Sequence, residues 1–175
     1  MIDLFSSKGG VGINQSDCVF LPNEEVVLYA FVSYNGDPVQ NILVAFYVNG
    51  PSNLYYNITL FRVMNTNATG IAQVNFRIPV TEHIEQTFGK WDSFATAEVA
   101  AGQTLVDALE FFVTILGDID GNGVVEIKDL VLLAQAYGSK PGDPNWNSSA
   151  DLNNSQVVDL LDLVTLAQHY GKHYP

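Results

Sequence analysis

The chain has 175 residues, of which 47% are hydrophobic, and it carries nineteen Asp and Glu against seven Lys and Arg, a formal net charge of −12. So acidic a chain offers no basic face to nucleic acid or to an anionic membrane, and the charge favours cations as small partners. The single cysteine, Cys18, excludes an internal disulfide framework, and we expect a half-buried thiol at a strand edge.

The beginning of the chain bears on where the protein works. "MIDLFSSKGG" lacks the regions of a secretory leader, and no apolar run approaches the roughly 18 residues that cross a bilayer. The protein is therefore either cytosolic or a mature chain whose leader has been removed. N-x-[ST] sequons favour a secreted chain, and the candidate glycosylation sites are Asn14, Asn57, Asn67 and Asn147. A further sequon, at Asn153, is expected to be excluded because its side chain has another role.

Residues 1–116 read as β-strands separated by turn sequences, with β-branched and aromatic residues enriched. The spacing predicts a two-sheet β-sandwich, because no amphipathic crossover helix lies between the strands. Three antiparallel pairs are expected: 25–34 with 39–48 around Asn35-Gly36, 54–63 with 71–80, and 91–100 with 105–116. Residues 81–89 are the helical candidate in this half.

Three stretches of this half are characteristic: "YNGDPVQNILVAFYVNGP" (34–51), "NATGIAQVNFRIP" (67–79) and "GKWDSFATAEV" (89–99). On these stretches, residues 2–115 resemble the immunoglobulin-like domains of bacterial and archaeal secreted surface proteins. The resemblance implies an Ig-like β-sandwich and no active site.

The periodicity of the hydrophobic residues changes after residue 116. The segment "DIDGNGVVEIKD" (118–129) then has the spacing of a calcium loop. Oxygen ligands at positions one, three, five, seven and twelve wrap around a calcium ion, and a glycine at position six supplies the sharp turn. The expected ligands are the side chains of Asp118, Asp120, Asn122 and Asp129 and the backbone carbonyl of Val124. Glu126 holds position nine, and Val125 at position eight is expected to form a short β-bridge between paired loops.

The same spacing returns thirty-three residues later in "DLNNSQVVDLLD" (151–162). Its expected ligands are Asp151, Asn153, Ser155, the carbonyl of Val157, and Asp162, with Val158 at position eight and Asp159 at position nine. Each loop is followed by a predicted helix that ends at glycine, at 129–138 and 162–171. The repeats are expected to bury a shared apolar stripe, made by Leu130, Leu133, Ala134 and Tyr137 against Leu163, Leu166, Ala167 and Tyr170.

No helix is predicted to enter either loop, since a strand precedes Asp118 and a segment rich in Pro, Asn and Ser precedes Asp151. Two calcium half-hands, each with only its exiting helix, resemble the dockerin family over residues 117–172. The resemblance implies a secreted module that needs two calcium ions to fold and that docks onto a partner domain called cohesin. The expected architecture is thus mostly β with a small α module: an Ig-like sandwich at 1–116 and a dockerin-like module at 117–175.

Two positions depart from the family pattern. Gln156 stands where the first loop has Gly123, so the second loop must accept left-handed geometry at a residue with a side chain. The partner-facing loop positions ten and eleven, small and polar in the best-known dockerins, are Ile127-Lys128 and Leu160-Leu161. Cellulosome-type pairing therefore does not carry over, and Ile127, Leu160 and Leu161 are candidate contacts either with the Ig-like domain or with an unfamiliar partner.

Catalytic motifs are missing from the sequence: there is no phosphate loop, serine elbow or Cys/His constellation, and Asp92 and Glu98 are read as solvated strand carboxylates. We therefore expect a non-enzymatic, extracellular protein. Three functions remain open: a subunit of a surface assembly or filament, the attachment piece of a larger surface protein that docks onto a cohesin-type partner, and a carbohydrate-binding module.

Overall fold

The computed structural model describes residues 1–51, 58–79, 87–100 and 102–174, without the side chains of residues 16–18 and 100. Cys18 and the sequon asparagine Asn57 thus have no described side chain, and most of the helical candidate at 81–89 lies outside these ranges. Nine strands and two helices lie within the described part of the chain. They are β1 (Ile2–Ser6), β2 (Gln15–Phe20), β3 (Glu25–Tyr34), β4 (Asp37–Pro38), β5 (Leu43–Asn49), β6 (Thr59–Asn65), β7 (Ile71–Arg77), β8 (Gly89–Ala100), β9 (Gln103–Val113), α1 (Ile127–Ala136) and α2 (Leu160–His169).

The strands form two sheets that enclose one hydrophobic core. One sheet contains β1, β3, β4 and β7, and the other has the order β2-β9-β8-β5-β6. Alternate residues of each long strand point inward, as the two-residue period of a strand requires, so that both sheets contribute to the same cluster. Trp91 lies fully buried at its centre, stacks on Phe111 at a centroid distance of 5.9 Å, and donates its indole N–H to the Thr87 carbonyl at 3.0 Å.

The predicted two-sheet arrangement agrees with this architecture, but two of the three predicted strand pairs are wrong. Strand β3 pairs with β1, β4 and β7, whereas β5 pairs with β6 and β8 in the other sheet. The turn at Asn35-Gly36 exists, with φ values of 53° and 91°, yet the chain then crosses between sheets. The third predicted pair, β8 with β9, is confirmed. Strand β2 adds a parallel partner to β9 that the sequence did not indicate.

The C-terminal part of the chain has a separate, smaller core. Its buried residues come from both calcium-type loops and both helices: Ile119, Val125, Leu133, Ala136, Ala150, Val158 and Leu166. The helices therefore pack through one shared apolar cluster, as the repeat predicts. The predicted stripe is only partly right, because Ala134, Tyr137, Ala167 and Tyr170 are exposed.

Both helices begin two residues earlier than predicted, and capping explains why. Glu126 and Asp159 are the N-caps, and each forms a capping box with the aspartate three residues later. The final loop residues Asp129 and Asp162 therefore lie in the first turn of α1 and α2. The helical segments end at Ala136 and His169, ahead of Gly138 and Gly171, which adopt φ values of 81° and 80°.

Candidate metal centre

Three carboxylates converge in the first loop. One oxygen each of Asp118, Asp120 and Asp129 lies within 4.8 Å of the others. Asp118 and Asp129 are 2% and 0% exposed, whereas Asp120 is open to solvent. The buried carboxylates of Asp118 and Asp129 thus lie beneath the exposed carboxylate of Asp120, and a cation that enters from solvent meets all three.

Backbone N–H groups hold these carboxylates in place. Asp118 accepts from Asn122 at 3.1 Å and Gly123 at 2.7 Å. Asp129 accepts from Ile119, Asp120 and Glu126 at 2.7, 3.2 and 2.8 Å. Each carboxylate keeps acceptor capacity on the oxygen that accepts a single bond, Asp118 Oδ1 and Asp129 Oδ2, since a carboxylate offers about four lone-pair sites. The loop is thus folded around its first and last aspartates.

The second loop repeats most of this arrangement, with Asn153 in place of the carboxylate at position three. Asp151 accepts from Ser155 and Gln156 at 2.9 and 2.8 Å, at the same two loop positions as in the first loop. Asp162 accepts from Asn153 and Asp159 at 3.2 and 2.8 Å. The Asn153 side-chain oxygen accepts from Ser155 N–H at 2.9 Å, so the side chain of this exposed sequon asparagine is hydrogen-bonded within the loop. The two loops share one geometry despite their different sequences.

Left-handed backbone at positions four and six bends both loops. In the first loop these positions are Gly121 and Gly123, with φ values of 73° and 92°. In the second they are Asn154 and Gln156, at 57° and 67°. The left-handed geometry predicted for Gln156 is therefore confirmed, and it carries the strain of a long side chain in a region that favours glycine.

The predicted β-bridge between the two loops is wrong. Val125 exchanges backbone bonds with the segment after the other helix, donating to Lys172 at 2.8 Å and accepting from Gly171 at 2.9 Å. Val158 does the same with the segment after α1, donating to Ser139 at 3.0 Å and accepting from Gly138 at 2.8 Å. Position eight of each loop is thus fixed by the end of the partner repeat, which makes the folding of the two repeats interdependent.

The electrostatics of the first loop favour a bound cation. Burial raises the pKa of the Asp118 carboxyl above its ordinary value, and the nearby Asp129 adds to this rise, while hydrogen bonds from Thr114 and Gly123 act in the opposite direction. Among the described residues, no Lys or Arg forms an ion pair with Asp118, Asp129, Asp151 or Asp162. Buried carboxylates that lack an ionic partner fit a hard, oxygen-seeking ion such as calcium.

Two residues that contact the first loop were not found from the sequence. The Thr114 hydroxyl, at the end of the sandwich, donates to Asp118. The ring of Tyr174 contacts Gly123 so closely that a Cβ there would lie 2.5 Å from it, and it stacks on Phe88 with centroids 5.1 Å apart. No motif marks Thr114 or Tyr174, because the first contact comes from the end of the sandwich and the second from the segment that follows the other repeat.

The candidate partner contacts are among the most exposed apolar residues of the chain. Ile127, Leu160 and Leu161 are 58%, 60% and 62% exposed, so they do not pack on the sandwich. Val164 lies three positions after Leu161 and four positions after Leu160, so the three side chains share one side of α2. We call Leu160, Leu161 and Val164 the apolar α2 face.

Other candidate residues of the sequence stand apart from the loops. Asn14 and Asn67 are exposed, and Asn147 is half-buried with its side-chain oxygen accepting from Ser149 N–H at 2.9 Å. Neither helix is long and apolar enough to cross a membrane, within the residues that the structure describes.

Comparisons with known proteins bear on the C-terminal part. Residues 116–169 match the family model of the dockerin type I domain. No curated protein matches the chain. Two mutant type II cohesin-X-dockerin complexes from Acetivibrio cellulolyticus are similar at 14% identity, covering 89% and 98% of this chain and 94% and 97% of those chains, each with a TM-score of 0.30.

The DNA glycosylase AlkC from Pseudomonas fluorescens shares 10% identity, over 64% of this chain and 30% of its own, with a TM-score of 0.40. Because these TM-scores lie below 0.5, the structural matches carry no argument about function. Dockerin domains generally bind calcium, which agrees with the carboxylate cluster in the first loop. Residues 116–169 of this chain are a dockerin domain.

Proposed function

We propose that this chain is a non-catalytic, extracellular docking protein, a sandwich at 1–116 joined to a calcium-binding module at 117–175, that works as a subunit of a surface assembly. The observation that carries the proposal is the position of three exposed aliphatic residues, Ile127, Leu160 and Leu161, at positions ten and eleven of two loops built around buried carboxylates. Bound calcium stabilises the folded conformation of the loops, and the folded loops expose the apolar side chains to a partner.

Two calcium ions are proposed, one in each loop. Calcium takes six to eight oxygens. The first loop supplies them from Asp118, Asp120, Asn122 and Asp129 with the Val124 carbonyl, and the second from Asp151, Asn153, Ser155 and Asp162 with the Val157 carbonyl. The bound ions neutralise carboxylates that otherwise repel, and they stabilise a core too small to fold firmly without them.

The apolar residues are proposed to contact a protein. Exposed aliphatic groups of this size at the start of both helices are unusual on a chain of net charge −12, and exposed apolar groups mark interaction surfaces. Because positions ten and eleven are Ile127-Lys128 and Leu160-Leu161, recognition rests on burial of aliphatic groups. The partner is either another copy of the chain, giving an assembly or filament, or a cohesin-type domain on a different protein.

Two observations support a non-catalytic role. Asp92 and Glu98 lie six residues apart on β8, which places them about 20 Å apart. Glycosidase carboxylates lie about 5–9.5 Å apart, so these two do not form such a pair. Asp92 is also engaged with Lys90 at 3.0 Å.

A double substitution tests the docking surface. Changing Leu160 and Leu161 to Ser removes about 1.5 to 3 kcal/mol of burial from the complex for each leucine that is fully buried there. Calcium stoichiometry should stay unchanged, because neither side chain is a ligand. The matched control is Gln73→Ser, at an exposed position of β7 in the sandwich, away from α2. If the double variant loses calcium or unfolds, the leucines serve the fold and the docking surface lies elsewhere.

A further inference from the structure

The sandwich reaches the first loop at both of its left-handed glycines, directly at one and through a tyrosine at the other. At Gly121 an added Cβ would lie 3.1 Å from the side chain of Phe112 on β9. At Gly123 it would lie 2.5 Å from the ring of Tyr174, which stacks on Phe88 immediately before β8. Space as well as backbone conformation therefore requires glycine at these two positions.

The equivalent positions of the second loop are open to solvent. Asn154 and Gln156 carry side chains there, and both residues are exposed although their backbone is left-handed as well. The second loop faces the sandwich across a small cavity of about 30 Å³, whose lining includes Leu21, Glu24 and Asn154. Within the part of the chain that the structure describes, no hydrogen bond joins residues 151–162 to the sandwich.

The first ligand of each loop shows the same difference. Thr114, four residues before Asp118, is 0% exposed and donates its hydroxyl to the Asp118 carboxylate. Its backbone N–H donates at 3.0 Å to the carbonyl of Phe20 at the end of β2, so the sandwich fixes Thr114. Asn147 stands four residues before Asp151, but its side-chain oxygen accepts from the N–H two residues later. Among the described residues, Asp151 accepts backbone N–H groups and no hydroxyl.

We propose that the sandwich completes the first calcium site and not the second, and that calcium in the first loop in turn fixes the dockerin domain against the sandwich. This inference rests on the proposed function, since it takes calcium as the ion of both loops. Thr114 is a positioning residue, because its hydroxyl orients the Asp118 carboxylate and is not itself a calcium ligand.

The contacts with the sandwich act by ordering the first loop before calcium binds. Binding to a flexible loop costs the conformational entropy of ordering it, and a loop already held in its bound conformation avoids most of that cost. Removing a hydrogen bond to a ligating carboxylate typically lowers metal affinity about 10–100-fold. Because coupling between two equilibria is reciprocal, calcium strengthens these contacts by the same factor by which they raise its affinity.

Calcium titration of Thr114 variants tests the positioning role. Thr114→Val removes the hydroxyl and keeps the shape of the side chain. In an Asp151→Asn background, which leaves the first site, it should lower calcium affinity about 10–100-fold. In an Asp118→Asn background, which leaves the second site, the affinity should stay unchanged. Thr114→Ser, which keeps the hydroxyl, should retain the affinity of the first site.

Matched controls separate contact with the loop from general loss of stability. Thr66 is a buried sandwich threonine whose hydroxyl donates to the Val39 carbonyl at 2.6 Å and accepts from Ile42 N–H at 2.9 Å. Thr66→Val should destabilise the sandwich and leave both calcium affinities unchanged. Phe112→Ala should weaken the first site, whereas Phe5→Ala, at a half-buried position of β1, should not. Circular dichroism in calcium checks that each variant folds.

Amide exchange tests the reverse direction, from calcium to the sandwich. Calcium should slow the exchange of Thr114 N–H about ten-fold or more, because it strengthens the contact between Thr114 and the loop. Thr66 N–H, which donates to the Ile42 carbonyl at 2.9 Å within the sandwich, should exchange at the same rate with calcium and with chelator. An equal response of the two amides to calcium would contradict the coupling.

The remaining outcomes separate this inference from the proposed function. If the wild-type chain binds two calcium ions and Thr114→Val leaves both affinities unchanged, or lowers both equally, the positioning role is wrong and the calcium-binding function stands. If the wild-type chain binds no calcium, both proposals fail. If Thr114→Val does not fold, Phe112→Ala decides, and an unchanged affinity of the first site in that variant would overturn the role of the sandwich.

Discussion

Replacing Asp129 by Ala tests the first calcium loop at its most buried ligand. Asp129 is fully buried and accepts three backbone N–H groups, from Ile119, Asp120 and Glu126. A buried donor left without its acceptor costs about 1–3 kcal/mol, so the unloaded module should lose about 3 kcal/mol or more of its free energy of unfolding. The loaded module loses a further contribution, about 4 kcal/mol when free calcium is 1,000 times the dissociation constant of that site.

Calorimetric titration of calcium into chelator-treated protein measures the effect. The stoichiometry should fall from two ions to one, and thermal unfolding of the module should shift to lower temperature. Asp143→Ala is the matched control, because it changes the charge equally and breaks one backbone bond, to Lys140 N–H at 3.0 Å, outside both loops. It should still bind two ions. A stoichiometry of two with unchanged affinities in the Asp129 variant would refute the assignment of the loop.

Three further predictions concern strain, protonation and the order of unfolding. Gln156→Gly should relieve the left-handed strain and stabilise the second loop by about 1 kcal/mol, measured as a higher midpoint of chemical unfolding. Gly123→Ala should instead destabilise the first loop, because the added Cβ meets Tyr174. Equal effects of the two substitutions on the midpoint would contradict the strain argument. Because burial raises the pKa of Asp118, calcium affinity should begin to fall at a pH above the ordinary carboxyl range, and an affinity that is constant down to about pH 4 would contradict this prediction. The unloaded module should gain stability as the pH falls through that raised pKa. Chelation of calcium should remove amide-exchange protection from residues 117–174 and leave β1 to β9 protected, since the two cores are separate. Equal protection of both parts after chelation would argue against separate domains.

The sequence predicted the left-handed backbone of Gln156 because the information for it is local. The candidate ligands of each loop lie within twelve residues, and the spacing recurs after thirty-three residues, so that Gln156 is aligned with Gly123 by the repeat alone. The strand partners were predicted poorly, because a turn such as Asn35-Gly36 fixes a change of direction and not the sheet that receives the next strand. Strand β5 joins β6 and β8 because Val44, Phe46 and Val48 fill the core from the opposite side to β3.

The same distinction applies to the residues around the site. Ala134 and Tyr137 fit the helical period of the buried stripe but are exposed, since the module is too small to cover that part of the helix. Thr114 contacts the first loop from the end of the sandwich, four residues before Asp118, and Tyr174 contacts it from the segment after α2.

Sedimentation velocity of the pure wild-type chain, in calcium and then with excess chelator, tests most directly whether this protein docks onto its own kind through helices that calcium organises. In calcium the account predicts species much larger than the 19.1 kDa chain, growing with concentration, and a return to the monomer after chelation. A monomer of 19.1 kDa under both conditions, at every concentration, would contradict self-assembly.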